Sequence, residues 1–368
     1  MPILQGQSLR LLATSCVLAI LTIAILLFSR DSDNAGKYII KTPTKYPPPQ
    51  SQKCPQSSDE HWEFDPARDA NNHGLSEEQC RIAFPKLFVE IEKSADERRN
   101  RSISYKEIDL VEIGDGMVRA VVFNGELYIV EYGDMRYTRT RAKATLYSLH
   151  RALTSFGKKE SLPNIEFIFT ADDFASDPTS PIWSYSKRDS DTPVWLMPDF
   201  GYWSWPEVQI GSYRDIRSRI RAIDNQLPFR EKRKQLLWRG SVAPNPEIRS
   251  KLLKTAVGQS WASIRVIDWD DENDVRFNLL PMEDHCKYMF LAHTEGRSFS
   301  GRGKYLLNCR SVVVSHKLEW KEAHHAALIS TGPQANYVQV ERDYSDLNRK
   351  IEFLIDHPET AKDCRECG

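Results

Sequence analysis

Beyond residue 61, some segments have the apolar pattern of β-strands and others have that of α-helices. The alternation of these segments predicts a mixed α/β fold. Short runs rich in β-branched and aromatic residues predict strands at residues 117–123, 126–132, 164–170, 235–239, 264–267, 288–292 and 311–314. Helical spacing of apolar residues, or a helix-start signal, predicts helices at residues 76–92, 139–156 and 347–355 and after Asn245 and Lys304. These elements favour two α/β layers, with a boundary near residue 230.

Local signals define some of these elements more closely. Ser76 and Gln79 have the spacing of a capping box, and Pro85 is expected to interrupt the helix that they start. Asn124 and Gly125 lie between two predicted strands and therefore indicate a β-hairpin.

The N-terminal region contains an uncharged apolar run at residues 11–28, between Arg10 and Arg30. As a helix this run would span about 27 Å, which suits a thin bilayer. We expect a cytosolic tail at residues 1–10 and a retained signal anchor at residues 11–29. A cleaved signal peptide is the alternative, but the run is long for one and no clear Ala-x-Ala site follows it. Arg10 on a short tail favours a single-pass type II protein of the Golgi or endoplasmic reticulum membrane.

Residues 30–60 have the proline-rich composition of a stem, so the globular part is expected at residues 61–230 and 231–368. A lumenal location would permit N-glycosylation at Asn100, in the sequon Asn-Arg-Ser, and a disulfide between Cys54 and Cys80. Cys286 and Cys309 lie in apolar runs and are expected to be buried free thiols. The spacing of Cys364 and Cys367 is interpreted as incidental.

Composition limits the class of protein. The chain has 368 residues, of which 40% are hydrophobic and 27% are charged, as in ordinary globular proteins of about two domains. A formal net charge of −1 argues against a general nucleic-acid binder.

The segment from residue 288 to residue 314 has the order strand, glycine-rich loop, helix, strand, which is typical of nucleotide-binding sites. Gly296, Gly301 and Gly303 would let a backbone approach phosphate, and basic residues next to a helix N-terminus would attract it. The basic residues of this loop are Arg297, Arg302 and Lys304. Gly301 is followed by arginine, so the Walker pattern is not met. The local pattern alone also fits a surface loop with solvated arginines.

Carboxylates offer two candidate reaction centres. Asp172 and Asp173 follow a predicted buried strand, where open α/β sheets keep their chemistry. Asp268 and Asp270 could instead hold a divalent cation, although the acidic segment around them also fits a solvated turn. The aromatic segment at residues 195–207 suits either a core or a platform for stacking a sugar.

Several motifs taken together resemble the capsule-associated protein and protein O-glucosyltransferase family, glycosyltransferase family 90, and its fungal-type members most closely. They are WRGS at residues 238–241, HCKY at 285–288, Gly296, RGKYLLN at 302–308 and KLEW at 317–320. The resemblance implies a GT-B architecture, with two Rossmann-like domains facing a cleft. Residues 61–230 would then be the acceptor-side domain and residues 231–368 the nucleotide-sugar-binding domain. Relatives usually continue further, so the C-terminus is expected to be truncated.

The resemblance also implies a reaction: inverting transfer of glucose or xylose from a UDP-sugar to a protein or glycan hydroxyl, without a metal or other cofactor. Asp173 falls on the family's catalytic base, with Asp172 as the second choice. The predicted nucleotide-sugar-binding residues are Arg239, Gly240, Ser241, Gly296, Arg302 and Lys304. Two alternatives remain, a metal-dependent GT-A transferase and an inactive lumenal sugar-binding protein.

Overall fold

The computed structural model describes residues 62–360, which contain two five-stranded sheets. The predicted tail, anchor and stem, together with Cys54, Cys364 and Cys367, lie outside the described residues. Within residues 62–360, no helix is both long enough and apolar enough to cross a membrane.

The first sheet is built around the predicted hairpin. Its strands, in chain order, are β1 (Met117–Phe123), β2 (Glu126–Tyr132), β3 (Ile165–Thr170), β4 (Ile182–Ser184) and β5 (Trp195–Leu196). They lie in the order β2-β1-β3-β4-β5, with β1 antiparallel to both neighbours and β3, β4 and β5 parallel. Asn124 and Gly125 have φ values of 50° and 76°, the left-handed conformation that a tight hairpin turn requires. The predicted hairpin is therefore confirmed.

Five helices accompany this sheet: α1 (Pro66–Asp69), α2 (Glu77–Ala83), α3 (Val89–Glu97), α4 (Tyr105–Asp109) and α5 (Arg139–Ser155). The capping box predicted at Ser76 and Gln79 is present at the start of α2. A 3₁₀ turn at Pro85–Leu87 separates α2 from α3, because proline cannot continue the hydrogen-bond ladder of a helix.

The second sheet is entirely parallel. Its strands are β6 (Arg233–Gly240), β7 (Ala262–Val266), β8 (Tyr288–His293), β9 (Val312–His316) and β10 (Val338–Val340). The connecting helices are α6 (Tyr213–Gln226, which precedes β6), α7 (Pro246–Ala256), α8 (Glu272–Asn278) and α9 (Gly303–Leu306), and α10 (Leu347–Asp356) follows β10. All six residues of β8 are buried, as expected for a central parallel strand covered on both faces.

The strand order of this sheet, β10-β9-β8-β6-β7, reverses between β6 and β8. From β6 the chain first moves outward to β7 and then returns to the other side of β6. Loops that leave β6 and β8 therefore diverge, and a crevice forms at the carboxyl ends of these strands. Open α/β sheets bind ligands at such a point.

The cysteines differ from the sequence-based expectation. Cys286 and Cys309 form a disulfide, with 5.1 Å between their Cα atoms, so the prediction of two buried free thiols is wrong. The cause is tertiary: the two cysteines precede β8 and β9, and pairing of these parallel strands brings them to the same edge of the sheet. Cys80 is partly buried and has no disulfide partner within residues 62–360. Its predicted partner, Cys54, lies outside the described residues, so that pairing stays a prediction.

Candidate functional site

A cavity of about 360 Å³ lies at the carboxyl ends of β6 and β8. Residues from the second sheet that line it include Arg239, Gly240, Ser241, Arg249, His285, Gly296, Arg297, Gly301 and Arg302. Arg141, Asp173 and Trp205 line it from the part of the chain before β6. The strand reversal thus brings together most of the predicted site residues, which are distant in sequence.

Three arginines give the cavity its positive charge. Arg239, Arg249 and Arg302 line it, and none of them forms an ion pair with a carboxylate within residues 62–360. Their guanidinium groups donate mainly to backbone carbonyls: Arg249 to Ser241 at 2.7 Å and to Glu295 at 3.0 Å, and Arg302 to Arg239. Carbonyls orient a cation without neutralising it, so the cluster is suited to an anionic ligand.

Burial makes this charge costly when the cavity holds no anion. It lowers the pKa of Arg249 and of Arg302 to about 10 each, and the nearby charge of Arg249 adds to the effect on Arg302. Burial also lowers the pKa of Arg239. All three groups remain cationic at neutral pH. An anion bound among them would compensate for their lost hydration and for the repulsion between their charges.

His285 lines the same cavity as a neutral ring. Burial, followed by the charge of Arg302, lowers the pKa of His285 to about 4. Its Nδ1 lies 3.1 Å from the carbonyl of Pro281 and is assigned the proton, so Nε2 is an acceptor. His285 therefore contributes a polar contact to the cavity but no positive charge.

Two predicted glycines allow the arginines to approach the backbone. A Cβ atom on Gly240 would lie 3.2 Å from Nη2 of Arg302, and one on Gly296 would lie 3.2 Å from Nη2 of Arg249. Substitution would therefore require each guanidinium group to give way by a few tenths of an ångström. The structure places Gly240, Ser241 and Gly296 in the cavity lining, and their contact with a nucleotide sugar stays a prediction.

Arg239 and Lys304 have contacts that the sequence did not predict. The Arg239 guanidinium group donates to the carbonyls of Trp238 and Ser263, next to the cavity. Lys304 is buried in an ion pair with Asp199, whose Oδ2 lies 2.6 Å from Nζ. The prediction that Lys304 lines the nucleotide site is thus not supported, because α9 is a single turn that directs this residue into the core.

Arg249 is the residue that sequence reasoning missed. It lies on α7 between Ile248 and Leu252 and is buried together with them. An arginine on the buried face of a helix is a usable signal, because a buried charge needs a partner or a ligand. The cap at Asn245 predicts the helix but does not reveal this charge.

Asp173 faces the arginine cluster from the first sheet. Its Oδ1 accepts a hydrogen bond from Nη1 of Arg141 at 2.8 Å, and its carbonyl accepts from Ser186 and Ser298 at 2.7 and 3.0 Å. Within residues 62–360, no protein donor occupies Oδ2. One oxygen of a firmly held carboxylate is therefore open for contact with a ligand hydroxyl.

Asp172 has a different role in the structure. Its Oδ1 accepts from the backbone N–H of Asp173 at 2.7 Å and lies 3.3 Å from Nη1 of Arg297. Asp172 is not among the residues that line the cavity. The geometry favours Asp173 over its neighbour, as the first choice from the sequence did.

The other sequence candidates occupy surface turns or the cavity wall. Asp268 accepts a hydrogen bond from the N–H of Asp270 at 3.0 Å, and Asp271 caps α8, which is the geometry of an acidic turn. From the aromatic segment, Trp205 reaches the cavity and packs against Gly301. Asn100 is exposed in a turn, where glycosylation is sterically possible but stays a prediction.

Asn245 connects the cap of α7 to the glycine loop. Its Oδ1 accepts from Ile248 N–H at 3.2 Å, and its Nδ2 donates to the carbonyl of Gly296 at 3.0 Å. We expect Asn245→Ala to lower the free energy of unfolding by about 1 kcal/mol, the usual value of an N-cap. Chemical denaturation checks this value. Asn245→Ser keeps a cap acceptor and, like Asn245→Ala, lacks the donor to Gly296, so it should recover most of the stability; equal losses in both variants would contradict a capping role.

Comparisons with known proteins agree with this geometry. Residues 77–368 match the family described as Glycosyl transferase family 90. Protein O-glucosyltransferase 1 of Rattus norvegicus is 26% identical over 230 residues, which cover 56% of this chain and 56% of the relative. The Homo sapiens protein of that name is 25% identical over the same shares. Protein O-glucosyltransferase 2 of Danio rerio is 24% identical over 328 residues, 85% of this chain and 60% of the relative. The chain thus spans little more than half the length of these relatives.

Proposed function

Because this chain belongs to glycosyl transferase family 90, we propose that it transfers glucose or xylose from a UDP-sugar to a hydroxyl group of a protein or glycan. The observation that carries the proposal is the cavity itself. It has, on one side, arginines that pair with no carboxylate of residues 62–360 and, on the other, the Asp173 carboxylate. A nucleotide diphosphate is an anion that fits the arginines, and a hydroxyl group suits the carboxylate.

In the proposed reaction, one side of the cavity accepts a proton and the other side stabilises the leaving group. Oδ2 of Asp173 accepts the proton of the acceptor hydroxyl while the hydroxyl oxygen attacks the anomeric carbon. The bond from that carbon to the diphosphate breaks, and Arg249 and Arg302 stabilise the negative charge of the leaving group. Attack from the side opposite the leaving group inverts the anomeric configuration. The arginines supply the charge that a metal ion provides in other transferases, so we propose a metal-independent reaction.

The proposed architecture is GT-B-like, with the donor held by the second sheet and the acceptor approaching from the first. The strand reversal between β6 and β8 supports the donor side of this assignment, since nucleotides bind at such points in doubly wound sheets.

A donor-hydrolysis screen tests the proposed function. The purified full-length protein is incubated with a panel of UDP-sugars that includes UDP-glucose and UDP-xylose, and the release of UDP is measured. Release with one of these two donors is the expected result. Binding of UDP without turnover of any donor would favour an inactive sugar-binding protein. A requirement for a divalent cation would contradict the metal-independent mechanism.

We also propose that residues 11–29 anchor the protein in a Golgi or endoplasmic reticulum membrane, with the catalytic region in the lumen. The uncharged run in the sequence supports this proposal. In sealed microsomes, the region after residue 60 should resist added protease until detergent is present. Digestion without detergent would refute the topology.

A further inference from the structure

Glu295 is a buried carboxylate that directly precedes Gly296 of the cavity. Its side chain is 1% exposed and is not part of the cavity lining. Oε1 accepts from the backbone N–H groups of Glu319 and Trp320, both at 2.8 Å, and Oε2 accepts from Nη1 of Arg342 at 2.8 Å. These contacts attach the carboxylate to the segment that follows β9.

The backbone N–H and carbonyl groups of Glu295 are also hydrogen-bonded. Its N–H donates to Nε2 of His316 at 3.0 Å, so the proton of this histidine is assigned to Nδ1, which donates to the carbonyl of Lys317 at 3.0 Å. Its carbonyl accepts from Nε of Arg249 at 3.0 Å. One residue thus connects a fixed buried network to a cation of the anion site.

The remaining contacts of Arg249 show what this connection controls. Nη1 donates to the carbonyl of Ser241 at 2.7 Å, and Nη2 lies next to Gly296. Two carbonyls therefore set the plane of the guanidinium group, and its remaining nitrogen lies beside Gly296, which lines the cavity together with Arg249. Movement of the Glu295 carbonyl would rotate this nitrogen away from a bound phosphate.

We propose that Glu295 is a positioning residue for the donor site: its anchored side chain fixes its carbonyl, and that carbonyl orients Arg249 toward the diphosphate. The inference rests on the proposed function, because it assumes that the ligand of the arginine cluster is a diphosphate. A merely structural Glu295 would affect folding stability without acting through Arg249, and this difference makes the two roles separable.

The test is a double-mutant cycle between Glu295 and Arg249, with UDP and inorganic pyrophosphate as ligands and calorimetry on the full-length protein as the measurement. Glu295→Gln keeps the shape of the side chain but removes its negative charge, so Arg342 faces either an amide N–H₂ group or an uncharged oxygen. We expect binding of both ligands to weaken about tenfold. In the Arg249→Gln background, the same substitution should change affinity less than about twofold, because the residue through which it acts is gone.

Glu319→Gln is the matched control. It removes the other carboxylate that contacts Arg342, at 2.9 Å, and keeps the backbone N–H of residue 319 that donates to Glu295, so both affinities should stay unchanged. If Glu295→Gln fails to fold, Arg342→Gln replaces it in the double-mutant cycle. Arg342 is partly exposed, and its substitution removes the ion pair of the Glu295 carboxylate.

The outcomes separate this inference from the proposed function. Equal weakening in both Arg249 backgrounds, or unchanged affinity in folded Glu295→Gln, would overturn the positioning role while leaving the proposed function intact. Failure of the wild-type protein to bind either UDP or pyrophosphate would overturn both.

Discussion

Replacement of Asp173 by asparagine is expected to lower the rate of sugar transfer by about a hundred- to ten-thousandfold, the usual contribution of a general base. The amide keeps the shape of the side chain and can still accept the hydrogen bond from Arg141. It cannot take the proton of an acceptor hydroxyl. UDP affinity should change little, because the arginines that would hold the diphosphate belong to the other side of the cavity.

Transfer rate and UDP affinity should be measured on the same preparation of the variant. Asp172→Asn is the matched control, since Asp172 contacts Arg297 and the backbone of Asp173 but does not line the cavity. It should retain most of the activity. An active Asp173→Asn enzyme with an inactive Asp172→Asn enzyme would move the role to Asp172, and two active variants would rule out the mechanism.

Removal of the Arg302 guanidinium group by Arg302→Ala should weaken UDP binding by roughly ten- to more than a hundredfold. A charge-assisted contact typically contributes about 1.5–3 kcal/mol, and burial of Arg302 at the cavity limits its screening by water. Calorimetry with UDP measures the effect.

Two further variants control for lost packing and for net charge. Arg302→Met keeps an apolar chain in place of the arginine stem and should lose a similar amount of affinity. Arg99→Ala removes an exposed arginine that pairs with Asp96 and does not line the cavity, so UDP affinity should not change. Normal UDP binding by a folded Arg302→Ala protein would exclude Arg302 from the diphosphate site.

Much of the local structure could be predicted from the sequence. The hairpin at Asn124 and Gly125, the capping box at Ser76 and the break at Pro85 all follow from interactions between residues close in the chain. The seven predicted strands lie within about two residues of observed strands, because runs of β-branched and aromatic residues are a local signal. The short strands β4, β5 and β10 were not predicted, since two or three residues carry too little of this signal.

The candidate site could be predicted only in part. Arg302, Gly296 and Asp173 were identifiable because glycine loops and carboxylates at strand ends are local patterns. Arg249 was missed because its role depends on the carbonyls of Ser241 and Glu295, which the helix sequence does not reveal. The ion pair of Lys304 with Asp199 could not be predicted, because it depends on a contact across more than one hundred residues.

The sequence by itself determined the alternation of strands and helices, the glycine-rich loop and the acidic strand end, since each depends on the conformational and burial preferences of neighbouring residues. Only the tertiary structure decided the strand order, the pairing of Cys286 with Cys309 and the meeting of Asp173 with the arginines in one cavity. The physical reason is that an apolar pattern specifies which face of a strand is buried but not which strand lies beside it. Strand pairing in the second sheet is what creates the crevice and gathers its charges.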